Sequence, residues 1–223
     1  MVSKKVAVLH TTPVTVEPLK KLAEEKIPGC KVVNFVDDSI LPQLIETDGN
    51  ISLVQDRLVQ YAKYAEQIGA DVILNACSSV GEVVAKARQN ITIPIIRIDE
   101  AMAEEAIKRG KKIGVVATLA TTLNPTMRLL QEKATEFNKK VEFESELAEE
   151  AYQCLITGDQ NSHDAALSVV LSNIAKKVDV VVLAQASMAR VVSTLPIEQQ
   201  EMFLASPQLG MERVQQTLEG IAE

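Results

Sequence analysis

The chain has 223 residues, 47% of them apolar, and a formal net charge of −7. That length holds one large α/β domain or two small ones of about one hundred residues each. An acidic balance without a basic cluster argues against nucleic acid and anionic membrane as partners, and the absence of tryptophan leaves little for base stacking. No run of about 18 apolar residues occurs, so no membrane-spanning helix is expected. The opening MVSKKVAVLH passes from two lysines directly into a strand, without a secretory apolar region. Three cysteines, an odd number, suit a reducing compartment, and a cytoplasmic location is the expectation. His10 and His163 lie far apart with no carboxylate cluster beside them, so no metal site is expected.

In chain order, Val6 to Leu9 reads as the first strand, ending in His10-Thr11-Thr12-Pro13. Thr15 to Lys26 reads as a helix with Pro18 in its first turn and Gly29 behind it. Lys31 to Phe35 is a second strand, followed by a polar, proline-containing loop from Asp37 to Asn50. Ile51 to Ile68 is a long amphipathic helix closed by Gly69. Val72 to Leu74 is a buried strand that feeds the turn Asn75-Ala76-Cys77-Ser78-Ser79 and then a helix to about Asn90. Pro94 to Ile98 is a short strand, and Ala101 to Arg109 a helix that bridges two halves.

The second half opens with the strand Lys112 to Ala117 and the polar turn Thr118 to Thr122. Leu123 to Lys139 reads as a helix, Val141 to Phe143 as a strand, and Leu147 to Thr157 and His163 to Lys177 as helices. A strand from Val180 leads to a turn holding Gln185. Pro196 to Leu204 reads as a strand-like exit, and Gln208 to Ala222 as a terminal helix that returns to the first half.

Two stretches repeat. DVILNACSSVGEVV from Asp71 lies over DVVVLAQASMARVV from Asp179 without a gap, which sets Cys77 over Gln185. KKVAVLHT from Lys4 matches KKIGVVAT from Lys111 in the same order. Matched strand-turn pairs point to a duplicated α/β unit. The expected fold is therefore α/β, with two pseudo-twofold-related domains, each a parallel sheet flanked by helices, and the active site in the cleft between them. The expected domains are 1–98 plus 206–223, carrying Cys77, and 99–205, carrying Gln185.

Pockets in open α/β sheets lie beyond the carboxyl ends of the strands, which nominates the four strand ends as the site. Cys77 is the candidate working residue, and a helix start after it favours its thiolate. His10 is a candidate base or an orienter for the thiol, with plain hydrogen bonding as the alternative. Thr11, Asn75, Ser78, Ser79, Thr118, Thr122, Gln185 and Ser187 make these strand ends rich in hydroxyls and amides, which suits a small carboxylate, with a plain N-cap as the alternative for Thr118 to Thr122. Cys30, Cys154 and His163 read as structural, and Glu82 as a solvent-facing residue of its helix.

The pieces NACSSVGE, GVVATLATT and LAQASMARV together resemble the Asp/Glu/hydantoin racemase superfamily over nearly the whole chain. The resemblance implies a two-domain enzyme that needs no cofactor, expected as a homodimer. It implies that two cysteines flank the substrate α-carbon, one removing a proton and the other supplying one. Cys77 matches the first cysteine, but Gln185 stands at the place of the second, and a carboxamide does not exchange protons usefully near neutral pH. The expected function is a racemase or isomerase-family enzyme acting on a small carboxylate or amino-acid derivative through Cys77. The alternatives are a decarboxylase or cis–trans isomerase of a small dicarboxylate, a catalytically silent small-acid binding protein, or a lone-cysteine hydrolase that recruits His10.

Overall fold

The computed structural model describes residues 3–185 and 188–221. By its contacts the chain divides into two compact units, Met1–Ile98 with Pro207–Glu223, and Asp99–Ser206. In the first unit β1 (Lys5–His10), α1 (Val16–Lys26), β2 (Lys31–Val36), α2 (Ile40–Glu46) and α3 (Gln55–Gln67) lead to β3 (Val72–Asn75), α4 (Val83–Arg88) and β4 (Ile95–Arg97). Its sheet has the order β2-β1-β3-β4, every pairing parallel.

Parallel strands covered on both faces need continuous apolar runs, and β1 supplies Val6 to Leu9 and β3 Val72 to Leu74. Ala7, Leu9 and Ile73 pack with Leu58, Ala62 and Ala65 of α3 and Val83 and Val84 of α4. The alternate residues Val6, Val8, Val72 and Leu74 face Leu19 and Ala23 of α1 on the other side. Burial of each such side chain stabilises the fold by roughly 1.5–3 kcal/mol for the larger ones. That second face is completed by α11 (Ser206–Gly220), whose Met211, Val214 and Leu218 join the same cluster. Gly210 makes the docking possible, since a Cβ there would lie 2.6 Å from the Ile98 carbonyl oxygen.

The second unit contains α5 (Glu100–Arg109), β5 (Lys112–Ala117), α6 (Ala120–Glu136), β6 (Glu142–Leu147), α7 (Glu149–Ile156) and α8 (Gln160–Ile174). These are followed by β7 (Val180–Leu183), α9 (Ala189–Val192), α10 (Ile197–Gln200) and β8 (Phe203–Ala205). Its sheet order, β6-β5-β7-β8, repeats that of the first unit, again all parallel. Val116, Val181 and Leu183 pack against Leu167, Leu171 and Ile174 of α8. α5 and α6 pack together and lie on β7 and β5. Lys133 of α6 is buried with Nζ 3.0 Å from Glu100, 3.2 Å from Glu104 and 3.0 Å from Glu136. Burial alone would lower this ammonium group, but the hydrogen bonds to the three carboxylates override it and raise its pKa.

The repeat in sequence is a repeat in hydrogen bonding. The Ala76 amide donates to the Leu9 carbonyl at 2.9 Å, and the Ala184 amide to the Val116 carbonyl at the same distance. Asp71 Oδ2 accepts from the Lys5 amide at 2.6 Å, and Asp179 Oδ2 from the Lys112 amide at 2.9 Å. Four local expectations differ from the structure. The stretch 37–50 contains α2, held by buried Ile40 and Leu44, and is not simply a loop. α6 begins at Ala120, three residues early, and tolerates Pro125 inside it. β6 runs six residues, from Glu142 to Leu147, as an edge strand. Between Pro196 and Leu204 the chain forms α10 first and enters β8 only at Phe203.

Candidate active site

β1 and β3 are neighbours in the sheet, so their carboxyl ends bring Thr11 and Cys77 side by side. Cys77 is extended (φ −133°, ψ 116°), and the chain then coils as a single tight turn, Ser78–Val80. This shape wraps the turn around the sulfur. Sγ accepts hydrogen bonds from the Thr11 hydroxyl, the Ser79 hydroxyl, and the Ser79 and Val80 amides. Asn75, buried at the end of β3, donates Nδ2 to the Cys77 carbonyl at 3.2 Å and ties the turn to the sheet. Ser78 and Ser79 are buried in the same turn.

The electrostatics run opposite to the expectation of a favoured thiolate. Burial pushes the Cys77 thiol above its ordinary value, and the four hydrogen bonds offset only part of that rise. The reason is local: α4 starts at Val83, six residues beyond the cysteine, so its dipole does not reach the sulfur with force. Cys77 is therefore held protonated at neutral pH, in a ring of donors that would receive a thiolate once the proton leaves.

His10, the last residue of β1, is buried and faces elsewhere. Its Nδ1 lies 2.7 Å from the Thr15 hydroxyl and its Nε2 2.9 Å from Asn34 Oδ1. Burial pushes its imidazole below the usual histidine value, against the opposing effect of the Asn34 bond. A neutral ring donating Nε2–H to Asn34 and accepting from Thr15 satisfies both contacts. Asn34 is the polar interruption of the otherwise apolar middle of β2 (KVVNFV).

In the second unit the equivalent strand ends bring Thr118 and Gln185 together. Gln185 Oε1 accepts from the Thr118 amide at 2.7 Å, and its Nε2 donates to the Thr118 hydroxyl at 2.8 Å. This two-point clamp fixes the carboxamide and leaves its second N–H for a further acceptor. Thr122 is buried in the first turn of α6, where its carbonyl accepts from the Thr126 hydroxyl at 2.9 Å. The Thr121 hydroxyl beside it is enclosed without a partner, and Pro125 lacks the amide that would meet the Thr121 carbonyl. Ser187 lies outside the described residues. Among the described residues, no three histidine, cysteine or acidic side chains gather as a metal site would require.

Comparison with known proteins follows the same lines. Residues 8–213 match the family described as Asp/Glu/Hydantoin racemase. A glutamate racemase of Trichodesmium erythraeum is 27% identical over 104 residues, 46% of this chain but only 37% of that protein. Among solved structures, the glutamate racemase of Francisella tularensis in complex with D-glutamate superposes with a TM-score of 0.76 at 15% identity, covering 100% of this chain and 83% of that one. The aspartate racemase of Picrophilus torridus gives a TM-score of 0.72 at 15% identity, over 96% and 94% of the two chains. At such identities the structural likeness speaks for the fold, and the family is carried by the sequence match over most of the chain. The chain belongs to the Asp/Glu/hydantoin racemase family.

Proposed function

We propose that the protein is a cofactor-independent enzyme of the isomerase type, acting on a small carboxylate or dicarboxylate, with Cys77 as its proton donor. The observation that carries this reading is the turn around the half-buried thiol: Thr11, Ser79 and the Ser79 and Val80 amides face the sulfur and stand ready for the thiolate, while desolvation favours the protonated form. Such a group suits protonation of a carbanion or enolate. In a decarboxylation the bond from carbon to the carboxylate breaks, CO2 leaves and the electron pair stays on carbon; that pair takes the S–H proton, sulfur becomes thiolate within its ring of donors, and solvent restores the proton. A positioned proton donor of this kind contributes roughly 10²–10⁴-fold.

The reaction in this reading is one-sided. Gln185 occupies the place of a second proton-transferring thiol and can donate a hydrogen bond but not a proton. Its clamp on Thr118 favours a role in binding, and Gln185, Thr118, Thr122 and Ser187 are assigned to substrate oxygens together with Asn75 and Ser78. His10 is assigned to orienting the loop after β1, because both its ring nitrogens are engaged by Thr15 and Asn34. A one-sided proton donor fits decarboxylation or isomerisation of a dicarboxylate better than two-base racemisation. The D-glutamate bound to the Francisella tularensis enzyme supports an acidic substrate class. The same reading takes the protein as a cytoplasmic homodimer without nucleic-acid or membrane partners, which rests on the family and on the net charge of −7.

The test is Cys77→Ser, assayed for turnover and for binding across a panel of small dicarboxylates and amino acids. The variant is expected to bind and not to turn over. Undiminished turnover removes Cys77 from the mechanism, and binding without turnover in the wild type as well replaces the enzyme by a small-acid binding protein.

A further inference from the structure

Behind the cysteine turn lies a charged side chain that the reaction as described does not use. Arg97 ends β4, pairs in register with Asn75, and is buried at 6% exposure. Its guanidinium lies directly against Gly81, the residue that closes the Cys77 turn. A Cβ built on Gly81 would fall 2.3 Å from Arg97 Nε, 2.5 Å from Cζ and 2.8 Å from Nη2. Gly81 has ordinary helical angles (φ −56°, ψ −35°), so its backbone does not require glycine. What requires glycine there is the space taken by the guanidinium plane.

We propose that Arg97 is a positioning residue for Cys77: its guanidinium, seated in the space of a missing Gly81 side chain, holds the turn from Cys77 to Gly81 against the end of the sheet. The proposal rests on the reading that Cys77 is the working group. Asn75 and Arg97 then act as adjacent braces. Asn75 grips the near end of the turn through the Cys77 carbonyl, and Arg97 packs under its far end. Between the two braces, the Gly81 amide bonds the Ser78 carbonyl at 3.0 Å and the Val80 amide the Cys77 carbonyl at 3.3 Å. The Ser79 and Val80 amides that face the sulfur belong to this braced segment. An arginine suits the place because its plane is flat and rigid, whereas a lysine offers only a point charge on a flexible stem.

The test needs no substrate, so it stands apart from the question of turnover. Iodoacetamide labelling of each cysteine is followed by mass spectrometry against pH, with Cys154 of α7 as internal reference. In Gly81→Ala the new methyl group pushes the guanidinium aside and loosens the turn. Cys77 is expected to label at least about 3-fold faster while Cys154 is unaffected, and its pH profile moves downward because water relieves the burial of the sulfur. Arg97→Ala is expected to do the same. The double variant should label no faster than Arg97→Ala alone, because the second change then meets an empty space. Arg97→Lys covers the event that Gly81→Ala fails to fold, and it too should label faster. Wild-type labelling of Cys77 in a folded Gly81→Ala or Arg97→Lys protein, or effects that multiply in the double variant, would overturn the proposal.

Discussion

Replacing Thr11 by valine isolates one of the four groups that receive the Cys77 thiolate, with almost no change of volume. The Thr11 hydroxyl is the largest of the contributions that oppose burial at this sulfur. A hydrogen bond to a charged group is worth about 1.5–3 kcal/mol, and 1.36 kcal/mol corresponds to a tenfold change in ionisation, so the thiolate population should fall by about 10- to 100-fold. A less acidic thiol is a better nucleophile, with a Brønsted slope of about 0.4–0.5, which returns part of that loss. The net expectation is labelling of Cys77 by iodoacetamide at pH 8 slowed by about 3- to 10-fold in Thr11→Val. Cys30 and Cys154 should label at wild-type rates. A Cys77 rate that stays the same or rises would refute the claim that the hydroxyl stabilises the charged sulfur.

Three further outcomes follow from named groups. His10 has a pKa below its unfolded value, so the unfolded chain binds more protons as pH falls through about 6.5. Stability should therefore drop from that point down to the depressed folded value, and urea midpoints of His10→Gln should lack this component of the drop. Lys133→Met takes the shared ammonium away from Glu100 and Glu104, whose side chains are 18% and 14% exposed. By analogy with other broken buried ion pairs it should cost about 3–5 kcal/mol in urea unfolding, with Glu136, 62% exposed, adding little. Gln185→Cys restores a second thiol at the position equivalent to Cys77, and exchange of the substrate α-proton in D2O should then yield both configurations where the parent yields one.

The sheets could be read from the sequence because β1, β3, β5 and β7 are covered on both faces, which demands unbroken apolar runs. The duplication was readable because each copy also repeats an aspartate, Asp71 and Asp179, that bonds the first amide of the neighbouring strand in its sheet, β1 and β5. Short, peripheral elements were harder. α2 spans only seven residues with Pro42 inside its first turn, and only Ile40 and Leu44 of its residues are buried. β6 is an edge strand written EFESEL, where Phe143 and Leu147 are only half-buried and Glu142, Glu144 and Glu146 leave no apolar run. At the site, the sequence named Cys77 as the working residue and Thr11 and Ser79 as holders of a small carboxylate, whereas in the structure both hydroxyls bond the Cys77 sulfur. It could not show the direction of the thiol's ionisation, which depends on how deeply the turn buries the sulfur. Nor could it show the partners of His10, because Asn34 and Thr15 meet the ring only through the tertiary fold.

The most direct measurement is turnover of a small dicarboxylate in D2O, with the product examined for the position and configuration of deuterium. One-sided protonation by Cys77 predicts a single deuterium on the reacting carbon, in one configuration, and its loss in Cys77→Ser. Deuterium appearing equally in both configurations, or at an undiminished rate in Cys77→Ser, would contradict it.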